Sequence, residues 1–378
     1  MKKDGENIKE IINYALEETA PDKYLKNLIK VEENILFVKN KKLDLDKYDR
    51  KILIGFGKMA SSVAKELCKI VSFDEGVILD TKSEKLGNKN VKCLVGDHPI
   101  PSKKNIENTF ELIKLINNLT KNDLVICVVS GGGSSLLFKP NMDYEDYMKL
   151  YDEKVFSGID IKKLNKFRKE NSLVKGGKLA KIITPAKLVN LYFSDVVGND
   201  LSNISSGPTY SKRAENILIL NNNYFLEKIK EKAESLGMKT KIVSNKVNCD
   251  VEKFSRKIIG KLNSKFDCLI WGGETTVEVH GKGNGGRNQE LALYVAKLIE
   301  NKNVSFASFG TDGIDGISKD AGAIVDGNTI EKIKKKKIDL DKGLGENNSN
   351  FVLKKIGGLI TTGKTGINLM DVMILMKN

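Results

Sequence analysis

The feature that most constrains the fold is a strand, a glycine loop and a helix in immediate succession at residues 51–67, K-I-L-I-G-F-G-K-M-A-S-S-V-A-K-E-L. Two strand-like runs follow at 76–80 and 91–99, then a helical stretch at 105–119 and a fourth strand at 123–130. Strands that alternate with helices of this length form parallel sheets with crossover helices. The pattern predicts an α/β fold whose first domain is a Rossmann-like parallel sheet with helices on both faces.

The chain is long enough for more than one domain. A second series of strands and helices begins near residue 240, and 378 residues exceed what one hydrophobic core usually supports. We therefore expect two α/β domains, spanning residues 1–235 and 236–378. Apolar residues at helical spacing predict two helices within residues 7–40, divided near Pro21, and the polar residues 211–237 also suggest a helix.

The composition restricts the classes of partner. The net charge is +14, but only five of the 63 basic residues are Arg, the side chain best suited to phosphates and base edges, so we do not expect nucleic-acid binding. The apolar runs are too short for a membrane helix, and the first residues carry no apolar signal segment. The five cysteines are scattered and form no C-x-x-C pair, and we expect Cys127 and Cys268, which lie in apolar strand-like runs, to be reduced core residues. These features predict a cytoplasmic protein without a membrane partner.

Two glycine-containing loops follow predicted strands and could bind anions. G-F-G-K-M-A (55–60) contains most of a dinucleotide fingerprint, with Asp80 at the end of the next strand. Lys58 stands where a helix N-terminus would favour a phosphate or carboxylate, although a tight turn with a surface lysine explains the same residues. S-G-G-G-S-S (130–135) offers backbone amides and hydroxyls, a nest suited to oxyanions.

Residues 271–290, W-G-G-E-T-T-V-E-V-H-G-K-G-N-G-G-R-N-Q-E, collect the only Trp, the only Gln, one of two His and one of five Arg. Segment 268–276 also repeats the order of 127–135, namely a strand, two glycines, one residue and two hydroxyl side chains. The two segments could be equivalent ligand-binding strand ends, or the likeness could be chance. We expect Trp271 to pack beneath the loop. For either histidine, a structural role is at least as well supported as a catalytic one.

Other segments bear on phosphate chemistry. G-L-I-T-T-G-K-T (358–365) matches the P-loop pattern, but its β-prone residues lie inside the motif and the strand–loop–helix context is missing, so we do not expect a P-loop.

Acidic residues lie at other strand ends, Asp195 after one strand and Asp312 and Asp315 after another. Carboxylates that hold Mg²⁺, together with isolated Lys and Arg, fit phosphoryl transfer. Each Asp alone could equally be a turn or cap residue.

Eight motifs occur in order along nearly the whole chain. They are G-F-G-K-M-A (55–60), G-D-H-P-I-P (96–101), S-G-G-G-S-S-L-L (130–137), N-K-F-R-K-E-N-S-L-V-K-G-G-K-L-A (165–180), S-D-V-V-G-N-D-L-S-N-I-S-S-G-P-T (194–209), G-G-E-T-T-V-E-V-H-G-K-G-N-G-G-R-N-Q-E (272–290), F-G-T-D-G-I-D-G (309–316) and T-G-K-T-G-I-N (362–368). With these motifs the sequence resembles the glycerate 2-kinase family, which has a C-terminal MOFRL domain. It departs where Lys364 replaces the Pro of the family's Thr-Gly-Pro-Thr, and this replacement creates the P-loop match.

The resemblance implies ATP-dependent phosphorylation of D-glycerate to 2-phosphoglycerate with Mg²⁺, in two α/β domains with the active site in the cleft between them. It also implies catalytic roles for Lys58 and Arg287, which match the family's motif positions. As hypotheses we add Asp195 for orienting the substrate hydroxyl, and Glu274 and Asp312 as Mg²⁺ ligands. Substrate or phosphate binding is expected of a further set: Ser130, Gly131, Gly132, Gly133, Ser134, Ser135, Arg168, Lys175, Gly272, Gly273, Asn288 and Gln289.

Two other functions stay open on the residues alone. Strand-end glycine and serine nests could hold a sugar phosphate in a binding or isomerase module that uses no ATP. Residues 55–80 could instead belong to an NAD-dependent dehydrogenase. The assembly state is also open, with a homodimer as one expectation.

Overall fold

The structure, a computed structural model, describes residues 4–156 and 161–377. Its contacts divide the chain into two compact units, one formed by Pro21–Leu220 and the other by Met1–Ala20 together with Asn221–Asn378. The first helix therefore belongs to the same compact unit as the C-terminal half. A domain boundary after residue 235 stays a prediction.

The helices and strands alternate along most of the chain. Up to residue 220 they are α1 (Asp4–Glu18), α2 (Pro21–Leu28), β1 (Ile29–Glu32), β2 (Ile35–Val38), β3 (Lys41–Asp44), β4 (Arg50–Phe56), α3 (Ala60–Ile70), β5 (Glu75–Asp80), β6 (Val91–Val95), α4 (Lys103–Ile116), β7 (Asp123–Ser130), α5 (Gly133–Leu136), α6 (Tyr144–Phe156), α7 (Ile161–Glu170), α8 (Lys178–Ile183), β8 (Lys187–Phe193) and β9 (Glu215–Leu220). Beyond it they are α9 (Asn222–Ser235), β10 (Thr240–Asp250), α10 (Val251–Ile259), β11 (Cys268–Thr276), α11 (Arg287–Leu298), β12 (Val304–Gly310), β13 (Gly322–Asp326), α12 (Thr329–Lys335), α13 (Leu340–Gly345), α14 (Ser349–Ile356), β14 (Leu359–Ile360) and β15 (Asp371–Lys377).

The sheet of the unit 21–220 has six strands in the order β6-β5-β4-β7-β8-β9, and all neighbours are parallel. Counted in sequence, this is the doubly wound order 3-2-1-4-5-6, which reverses direction between β4 and β7. All eight residues of β7 are buried, as expected of a central strand covered on both faces. The predicted Rossmann-like sheet is confirmed, and its ligand crevice is expected where β4 and β7 end.

Alternate residues of β4 point to opposite faces of this sheet. Ile52, Ile54 and Phe56 join a core cluster that includes Leu112 of α4 and Ile183 of α8. Helix α3 packs against the sheet as well, contacting β4, β5 and β7. The side-chain period of two along a strand thus accounts for helices on the two faces.

Two segments differ from the predicted secondary structure. The two helices divided at Pro21 are confirmed, but residues 29–44 form the antiparallel sheet β1-β2-β3. Residues 211–237 are not one helix, because 215–220 form β9 at the sheet edge. The short apolar run E-N-I-L-I-L has no strong period, and only pairing with β8 decides its conformation.

The sheet of the second unit has the order β10-β11-β15-β12-β13-β14. The pair β10–β11 is parallel, whereas β15 lies antiparallel between β11 and β12. Because β15 runs in the opposite direction, its first residue, Asp371, lies beside Gly273 of β11 and beside Gly310, the last residue of β12. Helices α10, α11 and α14 cover one face through a core that includes Phe254, Leu291 and Val352.

The prediction for the two strand cysteines also agrees with the structure. Cys127 and Cys268 are buried, and all five cysteines are free thiols. No helix in residues 4–156 and 161–377 is both long and apolar enough to cross a membrane.

Candidate active site

Two predicted loops come together where β4 and β7 end. The Lys58 amide donates to the Gly131 carbonyl at 2.8 Å, and the Met59 amide donates to Ser130 Oγ at 3.2 Å. Gly57 has a φ of 123°, and a Cβ there would lie 2.2 Å from Ser130 Oγ. Only glycine therefore allows such a close approach. The two loops form one structure at the switch point of the sheet.

The first amides of α3 are already hydrogen-bonded within the protein. The Met59 amide, just before the helix, donates to Ser130 Oγ. The Ala60 amide donates to the Gly57 carbonyl at 3.0 Å, and the Ser61 amide donates to Asp80 Oδ2 at 2.9 Å. Asp80 is fully buried and also accepts from Ser61 Oγ at 2.7 Å. In a dinucleotide site these amides would face the pyrophosphate and the acidic residue would bind the ribose. The G-F-G-K-M-A motif here makes a tight turn, which argues against the dehydrogenase alternative.

Three side chains converge on Gly131 and Gly132. A Cβ at Gly131 would lie 1.7 Å from Asp195 Oδ2, so this carboxylate rests directly against the loop backbone. A Cβ at Gly132 would lie 3.0 Å from Lys58 Cγ and 3.3 Å from His98 Nε2. We call Lys58, His98, Gly131, Gly132 and Asp195 the glycine-loop cluster. It brings together two predicted catalytic residues, Lys58 and Asp195, from loops far apart in sequence.

His98 is a member of this cluster that the sequence left undecided. Burial, followed by the positive charges of Lys58 and Arg168, lowers the pKa of His98 to about 4. The imidazole is therefore neutral near pH 7 and can act only as a neutral hydrogen-bonding group. Its position after β6, whose carboxyl end lies at the same sheet edge, was the available signal.

The three serines of the 130–135 loop have different contacts. Ser130 is fully buried, and Ser135 Oγ donates to the Pro99 carbonyl at 2.5 Å. Ser134 is only partly buried, and its Oγ lies 3.0 Å from Ser206 Oγ. Ser130 and Ser135 therefore shape the loop, whereas Ser134 is the hydroxyl best placed to meet a ligand.

A second turn supports the glycine loop. It lies in the 194–209 motif, but its serines were not among the residues expected to bind ligand. Ser205 and Ser206 have left-handed φ values of 53° and 65°. Ser205 Oγ donates to the Ser130 carbonyl at 2.7 Å. A Cβ at Gly133 would lie 2.3 Å from Ser205 Oγ. Backbone strain of this kind in non-glycine residues is concentrated at functional sites.

The predicted ligand contacts Lys175 and Arg168 lie beside the loop. Lys175 is 1% exposed, and its Nζ donates to the carbonyls of Ser134 at 2.7 Å and Leu137 at 2.9 Å. Lys175 therefore holds the loop from inside. Arg168 donates to Tyr151 Oη at 3.2 Å, and its charge lowers the pKa of both His98 and Lys175.

A separate cluster in the second unit is built around Arg287, the first residue of α11. Arg287 Nε donates to Asp371 Oδ2 at 2.6 Å, and Nη2 donates to Asp371 Oδ1 at 3.1 Å and Glu274 Oε1 at 2.8 Å. The Asp371 side chain is 2% exposed, whereas Glu274 is 44% exposed. Burial raises the pKa of Asp371 to about 6 although Arg287 opposes the shift, and the two carboxylates raise the pKa of Arg287.

Asp371 was missed by sequence reasoning because it is the first residue of its strand and does not follow one. Its Cα partners are Gly273 in β11 and Gly310 in β12, so the antiparallel insertion of β15 brings it to the edge where those strands end. The available signal was a charged residue at the start of the apolar run V-M-I-L-M.

Asp312 lies near Asp371, because both side chains approach Gly310. A Cβ at Gly310 would lie 3.3 Å from Asp312 Oδ1 and 3.6 Å from Asp371 Oδ1. We call Glu274, Arg287, Asp312 and Asp371 the carboxylate cluster. Within the described residues, no group of three or more His, Cys, Asp or Glu is arranged to hold a metal ion. One or two carboxylates suffice for Mg²⁺ when phosphates and water complete its shell, so the oxygen donors fit this ion.

Asn288 and Gln289 are placed inside the protein. Asp315 caps α11, accepting from the Asn288 amide at 3.1 Å and the Gln289 amide at 2.9 Å. The Asn288 side chain is also held, since its Oδ1 accepts from Ser308 Oγ at 2.6 Å. The Gln289 side chain is fully buried, and its amide atoms have no hydrogen-bond partner among the described residues. Burial raises the pKa of Asp315 to about 7.

Gly272 and Gly273 serve close packing within β11. A Cβ at Gly272 would lie 1.8 Å from Asn222 Oδ1, and one at Gly273, where φ is 132°, would lie 2.3 Å from the Val247 carbonyl. These glycines lie inside a strand, whereas the Gly131–Gly133 run follows one. The hypothesis that the two segments are equivalent strand ends is therefore wrong.

The remaining motifs behave largely as predicted. Residues 358–365 contain β14 and open no helix, so they are not a P-loop. Trp271 is buried and packs edge-on against Phe254, with ring centroids 6.3 Å apart. The His280 side chain is 64% exposed.

Comparison with known proteins relates both units to one family. The domain of unknown function DUF4147 matches residues 7–236, and the MOFRL family matches residues 267–371. The chain is 32% identical to a glycerate 2-kinase of Pyrococcus horikoshii, covering 96% of this chain and 95% of that one. It is 33% identical to a D-glycerate 2-kinase of Thermotoga maritima, covering 97% and 96%. A crystal structure of glycerate kinase from Thermotoga maritima superposes with a TM-score of 0.86 at 31% identity, covering 99% of each chain. The chain therefore belongs to the glycerate 2-kinase family.

Proposed function

We propose that this protein is a glycerate 2-kinase that transfers a phosphoryl group from ATP to D-glycerate and forms 2-phosphoglycerate with the help of Mg²⁺. The observation that carries the proposal is the glycine-loop cluster, in which an ammonium group and a carboxylate meet a glycine loop at the switch point of a doubly wound sheet. The names of the relatives support the same activity.

The glycine-loop cluster suits the acceptor substrate. Lys58 and the loop amides offer positive charge and donors to a carboxylate or phosphate oxygen. Asp195 rests against Gly131 and is our candidate for orienting the attacking hydroxyl and accepting its proton. Phosphoryl transfer needs positioning and charge stabilisation more than covalent catalysis, which matches this set of groups.

The carboxylate cluster suits the metal–nucleotide substrate. Asp312 and Asp371 would hold Mg²⁺, which neutralises phosphate charge when it is bound. Arg287 uses Nε and Nη2 to hold Asp371 and Glu274, while its Nη1 donates to none of the described residues. That nitrogen is our candidate donor to the transferring phosphoryl group, and the two carboxylates orient it.

The test is to incubate the protein with D-glycerate, ATP and Mg²⁺, without NAD, and to measure ADP. We expect ADP formation that depends on D-glycerate, and a phosphorus NMR signal of the 2-phosphate. ADP formed equally without D-glycerate would indicate an ATPase and contradict the proposal. Tight binding of a phosphosugar without turnover would favour the binding-module alternative. A cytoplasmic location and a homodimer remain predictions.

A further inference from the structure

Lys175 is a buried lysine without an acidic partner. Its Nζ contacts only neutral carbonyl oxygens, those of Ser134 and Leu137, and it forms no ion pair with a described residue. Burial, followed by the charge of Arg168, lowers the pKa of Lys175 well below its ordinary value. An apolar side chain of similar volume would fill this space without the cost of desolvating an ammonium group. The residue therefore calls for an explanation other than packing.

One of the two carbonyls, that of Ser134, lies in the glycine loop at the start of α5, and the other, that of Leu137, lies directly after this helix. Gly132 has a left-handed φ of 84°, and α5 begins at the next residue. Gly133 and Ser134 are the first two residues of α5, so their amides have no acceptor within this helix. Because Lys175 binds carbonyls at the start and the end of α5, it restrains the direction in which these amides point.

We propose that Lys175 is a positioning residue for an oxyanion bound at the Ser130–Ser135 loop. It acts from inside the protein, by fixing the backbone of α5 and by placing a positive charge behind the loop. A bound oxyanion provides the negative charge that the described residues around Lys175 lack. The inference rests on the proposed function, because the two substrates of that reaction supply the oxyanion: the carboxylate of D-glycerate or a phosphate of ATP.

The test uses Lys175→Met, which removes charge and donors, and Lys175→Gln, which keeps a donor. We expect the KM for one substrate to rise about tenfold to a hundredfold, the usual effect of removing a group that supports the direct ligand contacts, with a smaller change in kcat. A rise confined to D-glycerate identifies the carboxylate, and one confined to ATP identifies a phosphate. A merely structural role would lower the melting temperature and the fraction of active enzyme and leave both KM values unchanged.

Lys178→Met is the matched control. Lys178 Nζ also donates to backbone carbonyls, those of Lys169 and Ser172, but this side chain is partly exposed and does not contact the glycine loop. We expect its KM values to equal those of the unaltered enzyme. Unchanged KM values in both Lys175 variants, or failure of both to fold, would overturn the proposal.

A second readout separates this proposal from the proposed function. Thermal unfolding with added inorganic phosphate or D-glycerate reports oxyanion binding without turnover. If the unaltered protein shows no kinase activity, the proposed function fails. Stabilisation by either anion that is lost in K175M but kept in K178M still supports Lys175. Equal stabilisation of K175M and the unaltered protein, or no stabilisation of either, counts against it.

Discussion

The glycine-loop cluster and the carboxylate cluster both lie at strand ends, but they differ in chemistry. The first places one cation, Lys58, and one carboxylate, Asp195, against a glycine loop, with Lys175 behind that loop. In the second, two carboxylates, Asp371 and Glu274, accept hydrogen bonds from one cation, Arg287, and Asp312 lies near Asp371. The first suits an anionic acceptor, and the second suits a metal ion with phosphates. The predictions below test this division of labour.

Asp195→Asn should have the largest effect. Loss of the carboxylate that orients the hydroxyl should lower kcat about 10²- to 10⁴-fold, the usual contribution of a general base. Steady-state kinetics with both substrates saturating would measure it. The control is Asp200→Asn, which alters an exposed turn residue of the same loop that accepts from the Ser202 amide. Equal kcat values for the two variants would remove Asp195 from the mechanism.

Arg287→Lys should lower kcat about 10²- to 10³-fold, because an ammonium group cannot hold Asp371 and Glu274 and also donate to the phosphoryl group. Arg256→Lys is the matched control, since Arg256 is 72% exposed and pairs only with Glu252 one turn away. A fall in kcat for Arg287→Lys alone supports its role at the phosphoryl group. An unaltered kcat would exclude it.

Asp371→Asn should change the dependence on metal. We expect the Mg²⁺ concentration for half-maximal activity to rise about ten- to a hundredfold, because one of two expected carboxylate ligands is lost. Titration of activity with Mg²⁺ at constant ATP measures this shift. Asp341→Asn, at a side chain that is 84% exposed, serves as the control. A loss of kcat with an unchanged Mg²⁺ midpoint would place the metal elsewhere.

The smallest expected effects are opposite pH dependences of stability. His98 binds its proton less tightly in the folded protein, where its pKa is about 4, than in the unfolded chain. Its contribution to the free energy of unfolding is therefore lost as pH falls from about 6.5 to about 4. Asp315 binds its proton more tightly in the folded protein, where its pKa is about 7, than in the unfolded chain. Its contribution to the free energy of unfolding is therefore lost as pH rises from about 4 through 7.

Relative to the unaltered protein, His98→Asn should therefore gain stability as pH falls, and Asp315→Asn should gain stability as pH rises. Urea unfolding between pH 4 and about 8 would measure both slopes. Slopes of the same sign in the two variants would contradict the opposite pKa shifts of His98 and Asp315.

Several parts of the site could be predicted from the sequence. Lys58, the Ser130–Ser135 loop and Asp195 each follow a strand of a parallel sheet, and the carboxyl ends of parallel strands share one edge. Asp371 could not be predicted in this way, because it begins its strand and reaches this position only through the antiparallel direction of β15. The glycine pairs at 131–132 and 272–273 look alike in sequence, yet only the first leaves the sheet.

By itself, the sequence determined the alternation of strands and helices, the absence of a P-loop and the family, since these follow from local periodicity, turn residues and ordered motifs. Only the tertiary structure decided which polar groups are already satisfied inside the protein. The amides of α3 are bound by Ser130 and Asp80, and those of α11 by Asp315. Lys175 lies beneath the loop and does not face it from outside. Such choices depend on contacts between residues distant in the chain, which local patterns do not encode.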